Sequence, residues 1–158
     1  MSFQIHALAF EPFQTLFSMT DEELADRRAK RMIVDSKPGF PCRVSLDDAE
    51  IGETVILTNF EHLPSKSPYR SSHAIFVREH AKRAFPAIGE IPESLTSRLI
   101  SVRAFDNNHE MVEADVVEGE QLFNVIPAIF KDPEVDYLHL HNAKPGCFAA
   151  SVTRADSG

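Results

Sequence analysis

Apolar and polar residues alternate most regularly in two neighbouring segments. Over residues 98–105, Ile100, Val102 and Ala104 alternate with Ser101 and Arg103. Over residues 111–117, Val112, Ala114 and Val116 alternate with Glu113 and Asp115. A period of two is the signature of a half-buried strand. A three-residue loop, Asn107-Asn108-His109, brings the two apolar rows together. That loop predicts the pairs Arg103–Glu113, Val102–Ala114 and Ile100–Val116. Asn and His tolerate the left-handed backbone such a loop needs.

A second hairpin is predicted near the C-terminus, from Val135–His141 and Cys147–Val152. Asn142–Gly146 supplies the turn, Pro145 fixing φ and Gly146 permitting positive φ. Alternation gives one apolar face of Leu138, Leu140, Phe148, Ala150 and Val152. The other face gathers Tyr137, His139, His141, Cys147 and Ser151. In this register His141 opposes Cys147, His139 opposes Ala149, and Tyr137 opposes Ser151.

Helical periodicity marks two further segments. Thr20 with Glu23 forms a capping box, opening a helix that should run to about Arg28–Arg31. Gly119–Phe130 carries Leu122, Val125, Ile126, Ile129 and Phe130 at helical spacing, with a kink expected at Pro127. Shorter strands are expected at Phe3–Leu8, Met32–Val34, Thr54–Phe60 and His73–Val77. Helical turns are expected at Arg78–Phe85 and Pro92–Ser97. Glu61–Ser72 and Lys37–Arg43 read as loops. Most strands are joined by short connections, which implies antiparallel pairing. The predicted class is α+β, a largely antiparallel β-sheet with two main α-helices packed on one face, in a single domain spanning 1–158.

Composition narrows the function classes. At 158 residues and 43% hydrophobic, the chain can bury a sizeable core, and 12 Phe with no Trp make that core rich in phenylalanine. A net charge of -8 argues against a phosphate-binding surface, so no nucleic-acid partner is expected. The basic run at Arg27, Arg28, Lys30 and Arg31 follows Asp21, Glu22, Glu23 and Asp26, the ordinary complement of a helix dipole. No apolar run approaches a membrane span, and residues 1–12 lack the charged start of a signal peptide. Two cysteines suggest a reducing, cytoplasmic setting, with Cys42–Cys147 pairing left open.

Several motifs recur together: Lys37-Pro38-Gly39-Phe40-Pro41-Cys42-Arg43, Asp48-Ala49-Glu50-Ile51-Gly52-Glu53, Ser67-Pro68-Tyr69-Arg70, Ile75-Phe76-Val77-Arg78-Glu79, Ala114-Asp115-Val116-Val117-Glu118-Gly119 and His139-Leu140-His141-Asn142-Ala143-Lys144-Pro145-Gly146-Cys147. With them the chain resembles a bacterial family known as domain of unknown function 1203, over nearly its full length. The resemblance implies a stand-alone bacterial protein and assigns no activity, cofactor or residue role. His73 stands where that pattern leads to a small residue, and no role is expected for it. Lys-Pro-Gly occurs twice, each time followed closely by a cysteine; three residues are too few for an internal repeat, and chance or the same turn chemistry used twice accounts for them.

Three chemistries suit the C-terminal hairpin. The leading reading is a small-molecule-binding or interaction module, with Cys42, Arg43, Tyr137, His139 and Asn142 as ligand-binding residues. Its partners would be a small molecule or a second copy of the chain. The first alternative is a cysteine-dependent enzyme with Cys147 as nucleophile and His141 as base. There His139, Asn142 or Tyr137 would orient the imidazole, and Arg43 or Arg70 would bind an anionic substrate. The second alternative is a zinc-binding protein using His139, His141 and Cys147, with Cys42 or His62 as fourth ligand. No Cys-x-x-Cys pair supports that set, so no metal ligand is assigned, and the cofactor stays unknown. In each case the His/Cys face should line the main concave site, with the Phe40–Arg43 loop nearby.

Overall fold

Antiparallel pairing organises the chain into two sheets. The computed structural model describes residues 2–155. The first sheet contains β1 (Phe3–His6), β5 (Leu99–Phe105), β6 (Met111–Glu118), β7 (Tyr137–Asn142) and β8 (Phe148–Arg154), in the order β1-β8-β7-β5-β6. The second contains β2 (Ala29–Ile33), β3 (Thr54–Leu63) and β4 (Ser71–Arg78), in that order. Four short α-helices accompany them: α1 (Glu11–Gln14), α2 (Asp21–Asp26), α3 (Glu93–Thr96) and α4 (Leu122–Ile129). The α+β class and the antiparallel sheets are as expected.

The stripe on α4 packs as its spacing demands. Leu122, Ile126, Ile129 and Phe130 are buried with Ile100, Val102, Leu138, Leu140 and Val152, while Val125 is partly buried against the same cluster. A 3₁₀ turn, Gly119–Gln121, leads into the helix. The Gly119 N–H donates to the Arg98 carbonyl at 2.7 Å. A Cβ at Gly119 would lie 2.0 Å from the Leu95 carbonyl oxygen, so α3 meets this turn backbone to backbone.

The helix α2 serves the other sheet. Its Leu24 is buried with Phe13, Leu16, Ile56, Ile75 and Val77. The capping box is present, Glu23 N–H donating to Thr20 Oγ1 and Thr20 N–H to Glu23 Oε1. The helix is shorter than expected. Arg28 turns to φ 57°, and Ala29 already pairs with Thr58. The basic run is therefore a turn and a strand: ladder bonds to β3 outweigh another helical turn. Residues 78–85 are not helical either. His80 has φ 61°, and Ala84 N–H donates to the Val44 carbonyl at 2.8 Å.

Each of the three hairpins carries a bulge close to its loop. In β5–β6 the predicted loop is present: Asp106 N–H donates to the Glu110 carbonyl, and His109 has φ 62°. Phe105 then pairs with Met111 but Ala104 with Glu113, so Val112 is the extra residue. The predicted register is corrected by one: Val102 opposes Asp115, Arg103 opposes Ala114, and Ile100 opposes Val117. Val117 is buried and Val116 is 55% exposed. Hydrophobic matching failed because β6 is an edge strand, free to leave one apolar row in water. In β3–β4 the register shifts at His62, which lies between the pairs Glu61–Ser72 and Leu63–Ser71. In β7–β8, Leu140 opposes Ala150 while His141 opposes Phe148, leaving Ala149 as the bulge.

Candidate functional site

The bulge at Ala149 decides what faces the space between the sheets. Uninterrupted alternation would put Phe148 in the core with Ala150 and Val152. Instead Ala149 joins the core, and Phe148 turns to the histidine face. Bulges re-aim side chains in this way. His141 consequently opposes Phe148, with His139 opposite Ser151 and Tyr137 opposite Thr153, which corrects the expected His141–Cys147 pairing.

Across from β7, the tip of β3–β4 supplies two more histidines. His62 comes from the β3 bulge and His73 from β4. The His62 ring stacks on Phe148 at 5.1 Å and 7°, and meets His141 edge-on at 4.9 Å and His139 at 5.5 Å. His73 meets His141 at 5.1 Å. His62 Nε2 and His73 Nδ1 share a hydrogen bond of 2.9 Å, and Ser71 Oγ lies 2.7 Å from His62 Nε2. Thus three histidines from two sheets meet around Phe148, and His73 joins them through His62 and His141.

The protonation state of this cluster follows from its burial. His141 Nδ1 lies 3.0 Å from the Gly146 carbonyl oxygen. A carbonyl only accepts, so Nδ1 carries the proton and Nε2 keeps a lone pair. That Nε2 is buried without a hydrogen-bond partner in the protein, as are His62 Nδ1, His139 Nδ1 and Asn142 Oδ1. Desolvation holds His139 and His141 down to about 3. It holds His62 to about 4, with His73 adding repulsion, and it also lowers His73. All four rings are therefore neutral at pH 7. Tyr137 is pushed up to about 12 by burial, with Asp136 and Asp106 adding to the effect, and its hydroxyl lies 2.8 Å from His109 Nδ1.

Two openings reach this cluster from opposite ends. The larger is a cleft of about 740 Å³ whose wall includes Arg43, His73, Asn142 and Cys147. Its rim includes Pro38 and Gly39 of the first Lys-Pro-Gly and Lys144 and Pro145 of the second. The two triplets do not share a conformation, for Gly146 has φ 82° and Gly39 is outside that region. The smaller opening, about 390 Å³, is lined by His62, His109, Tyr137 and His139. The predicted ligand residues are therefore divided: Arg43 and Asn142 with Cys147 at one opening, Tyr137 and His139 at the other.

Arg43 links the two sheets. Its backbone N–H donates to Phe76 of β4 at 3.1 Å. Its side chain reaches the other sheet, where Nε donates to the Phe148 carbonyl at 2.7 Å and Nη2 to Cys147 Sγ at 2.9 Å. Nη1 donates to the Pro41 carbonyl. Arg43 as a whole is 1% exposed, and among the described residues no carboxylate pairs with its guanidinium. Burial pushes it below its ordinary value, and Cys147 opposes that shift.

Other expected partners lie elsewhere. Cys42 is buried in the apolar cluster beneath β3 and β4, where its Sγ accepts from the Ser45 and Arg78 amides at 3.4 Å. Cys42 and Cys147 are both free. Arg70 is exposed and paired with Glu61. The sulfur of Cys147 has Arg43 as its neighbour, while His141 is turned to Gly146 and the histidine cluster. The supposed His139–His141–Cys147 metal set is thus separated. The three histidines that do converge are His62, His73 and His141, with ligand-capable nitrogens all within 4.8 Å of one another. His73, for which no role was expected, is among them. A signal was present in the sequence: four of the seven histidines sit at the tip end of two hairpins.

No curated protein and no solved structure matches the chain. Among the described residues, no helix is long and apolar enough to cross a membrane. One family model matches residues 39–154, which include Arg43, Cys147 and all four clustered histidines, and the chain belongs to that family, described as Protein of unknown function (DUF1203).

Proposed function

We propose that the protein is a small-molecule-binding module whose Arg43–Cys147 cleft takes an anionic ligand, a carboxylate or a phosphate ester. The observation that carries this reading is the buried Arg43 guanidinium without a carboxylate partner. An isolated buried charge costs several kcal/mol, and such a cost is retained where an anion offsets it. Arg98, in the same wall, differs: its guanidinium is held by both carboxylate oxygens of Asp48, at 2.5 and 3.1 Å. Lys144 on the rim adds a second positive group at the mouth. A planar guanidinium with five N–H donors suits a carboxylate or phosphate, and three of its donors are already engaged by protein groups.

Cys147 provides the assay. In a Cys42→Ala background, the rates of alkylation by anionic iodoacetate and by neutral iodoacetamide are compared with those of a free thiol such as glutathione. A cationic cleft favours the anionic reagent, so the ratio should exceed that of glutathione about tenfold. Millimolar phosphate or citrate should slow both reactions. Arg43→Gln should abolish the preference. A ratio equal to that of glutathione, with no protection by either anion, would sink the reading.

A further inference from the structure

We propose that His62, His73 and His141 form a binding site for a zinc-class divalent cation, with three protein nitrogens and an open fourth position. The site is built from two sheets. His62 and His73 sit across the tip of β3–β4, and His141 faces them from β7. It stands apart from the anion-binding reading, because none of its three ligands is Arg43 or Cys147.

Four observations point to a ligand here. First, the candidate nitrogens lie within 4.8 Å of one another. A tetrahedral zinc with Zn–N bonds of about 2.0–2.1 Å separates its ligand nitrogens by about 3.3 Å, so the rings need only small adjustments. The His62–His73 pair, at 2.9 Å, has to open slightly. Second, the His141 Nδ1–H is committed to the Gly146 carbonyl, which aims an unprotonated, unpartnered Nε2 at the other two rings. A backbone carbonyl holding the remote N–H is the usual outer support of a metal-bound histidine. Third, His141 is completely buried and Phe148 stacks on His62, so both rings are fixed before a cation arrives. Fourth, β3 departs from regular pairing at His62 itself, a distortion that re-aims this side chain.

Neutral imidazoles suit borderline cations such as zinc, cobalt and nickel, and three of them leave one position for water or substrate. On binding, the proton now shared between His62 and His73 moves to the remote nitrogen of its ring and Ser71 Oγ gives up its contact with His62 Nε2, so all three ligands stay neutral and no proton need be released. Arg103, opposite His139 on β5, faces the cluster, and Arg43 lies beyond Cys147. Two nearby cations and no carboxylate ligand favour an anion in the fourth position. His73 also lines the large cleft, which gives the cation and such an anion a route inward.

The experiment uses the full untagged chain, stripped with chelator and titrated with Co(II) and Zn(II). The expected result is one metal per chain by elemental analysis, with visible Co(II) bands of a four-coordinate site and no sulfur-to-cobalt charge-transfer band. Azide should shift the Co(II) bands by taking the open position. His62→Ala and His73→Ala should each weaken binding about tenfold or more, while His80→Ala, at an exposed histidine, should not. His141→Gln should do the same; if it fails to fold, the other two variants decide. Substoichiometric metal, a charge-transfer band, or affinity unchanged in both His62→Ala and His73→Ala would overturn the proposal.

Discussion

Acidification should destabilise the metal-free protein through its two most buried histidines. Desolvation holds His139 and His141 to about 3, so both remain neutral in the folded chain down to that pH. In the unfolded chain each takes up a proton near pH 6.5. Below 6.5 the unfolded state binds more protons than the folded one, so stability falls as the pH drops from 6.5 towards 3. Between pH 7 and pH 5 the loss is about 2 kcal/mol for each ring and about 4 kcal/mol for the pair, and His62, held to about 4 but less deeply buried, adds a share of its own. Most carboxylates titrate below that window, so the histidines dominate it. Against a typical stability of about 5–15 kcal/mol, such a loss is large. Urea denaturation followed by far-ultraviolet circular dichroism, at pH 7, 6 and 5 with chelator present, measures it. His139→Leu should remove roughly a third of the pH dependence, since His141 and His62 retain theirs. A stability that changes by less than about 1 kcal/mol over this range would show that the two rings are far better solvated than their burial implies.

Three other outcomes follow from the packing. Ile126→Ala and Phe130→Ala should each cost roughly 2–5 kcal/mol in the same urea assay, because both side chains are almost wholly enclosed. Gly119→Ala should match or exceed the roughly 1–3 kcal/mol of an overpacked core, since its Cβ would collide with the Leu95 and Thr96 backbone; a near-neutral result would contradict the close approach. Asp21→Ala, which removes the ion pair to Arg31, should change stability by less than about 1 kcal/mol, because Asp21 is exposed.

The parts of the fold legible in the sequence are those governed by local periodicity. The buried stripe of α4 follows from residue spacing alone, and the Thr20–Glu23 box from two residues in one helical turn. The loop at Asn107–His109 was also readable, because its backbone demands act within five residues. The registers beyond that loop were not, since one extra residue at Val112 or Ala149 looks the same in sequence as uninterrupted alternation. Residues 78–85 have helical composition, but the Glu79 amide bonds to Thr54 and the Ala84 amide to Val44, both distant in sequence. The site was half legible. His139, His141 and Cys147 were singled out because they are close in sequence. Their actual partners are not: Arg43 reaches Cys147 and Phe148 across 104 and 105 residues. That His62 and His73 meet His141 became visible only when a second sheet was laid against the first.

The bulges have a consequence for how this chain can change. Each hairpin is a ribbon whose base and tip run out of phase, with the slip located at His62, Val112 or Ala149. In β8 the base places Ala150 and Val152 in the core, while the tip beyond the slip presents Phe148 to the histidines. The ribbon's two ends therefore obey separate parity rules. A residue gained or lost on the tip side of β7–β8 would re-aim the groups around the clefts and leave the α4-facing core in step. The chemistry of this fold is thus editable by length as well as by substitution, one hairpin tip at a time.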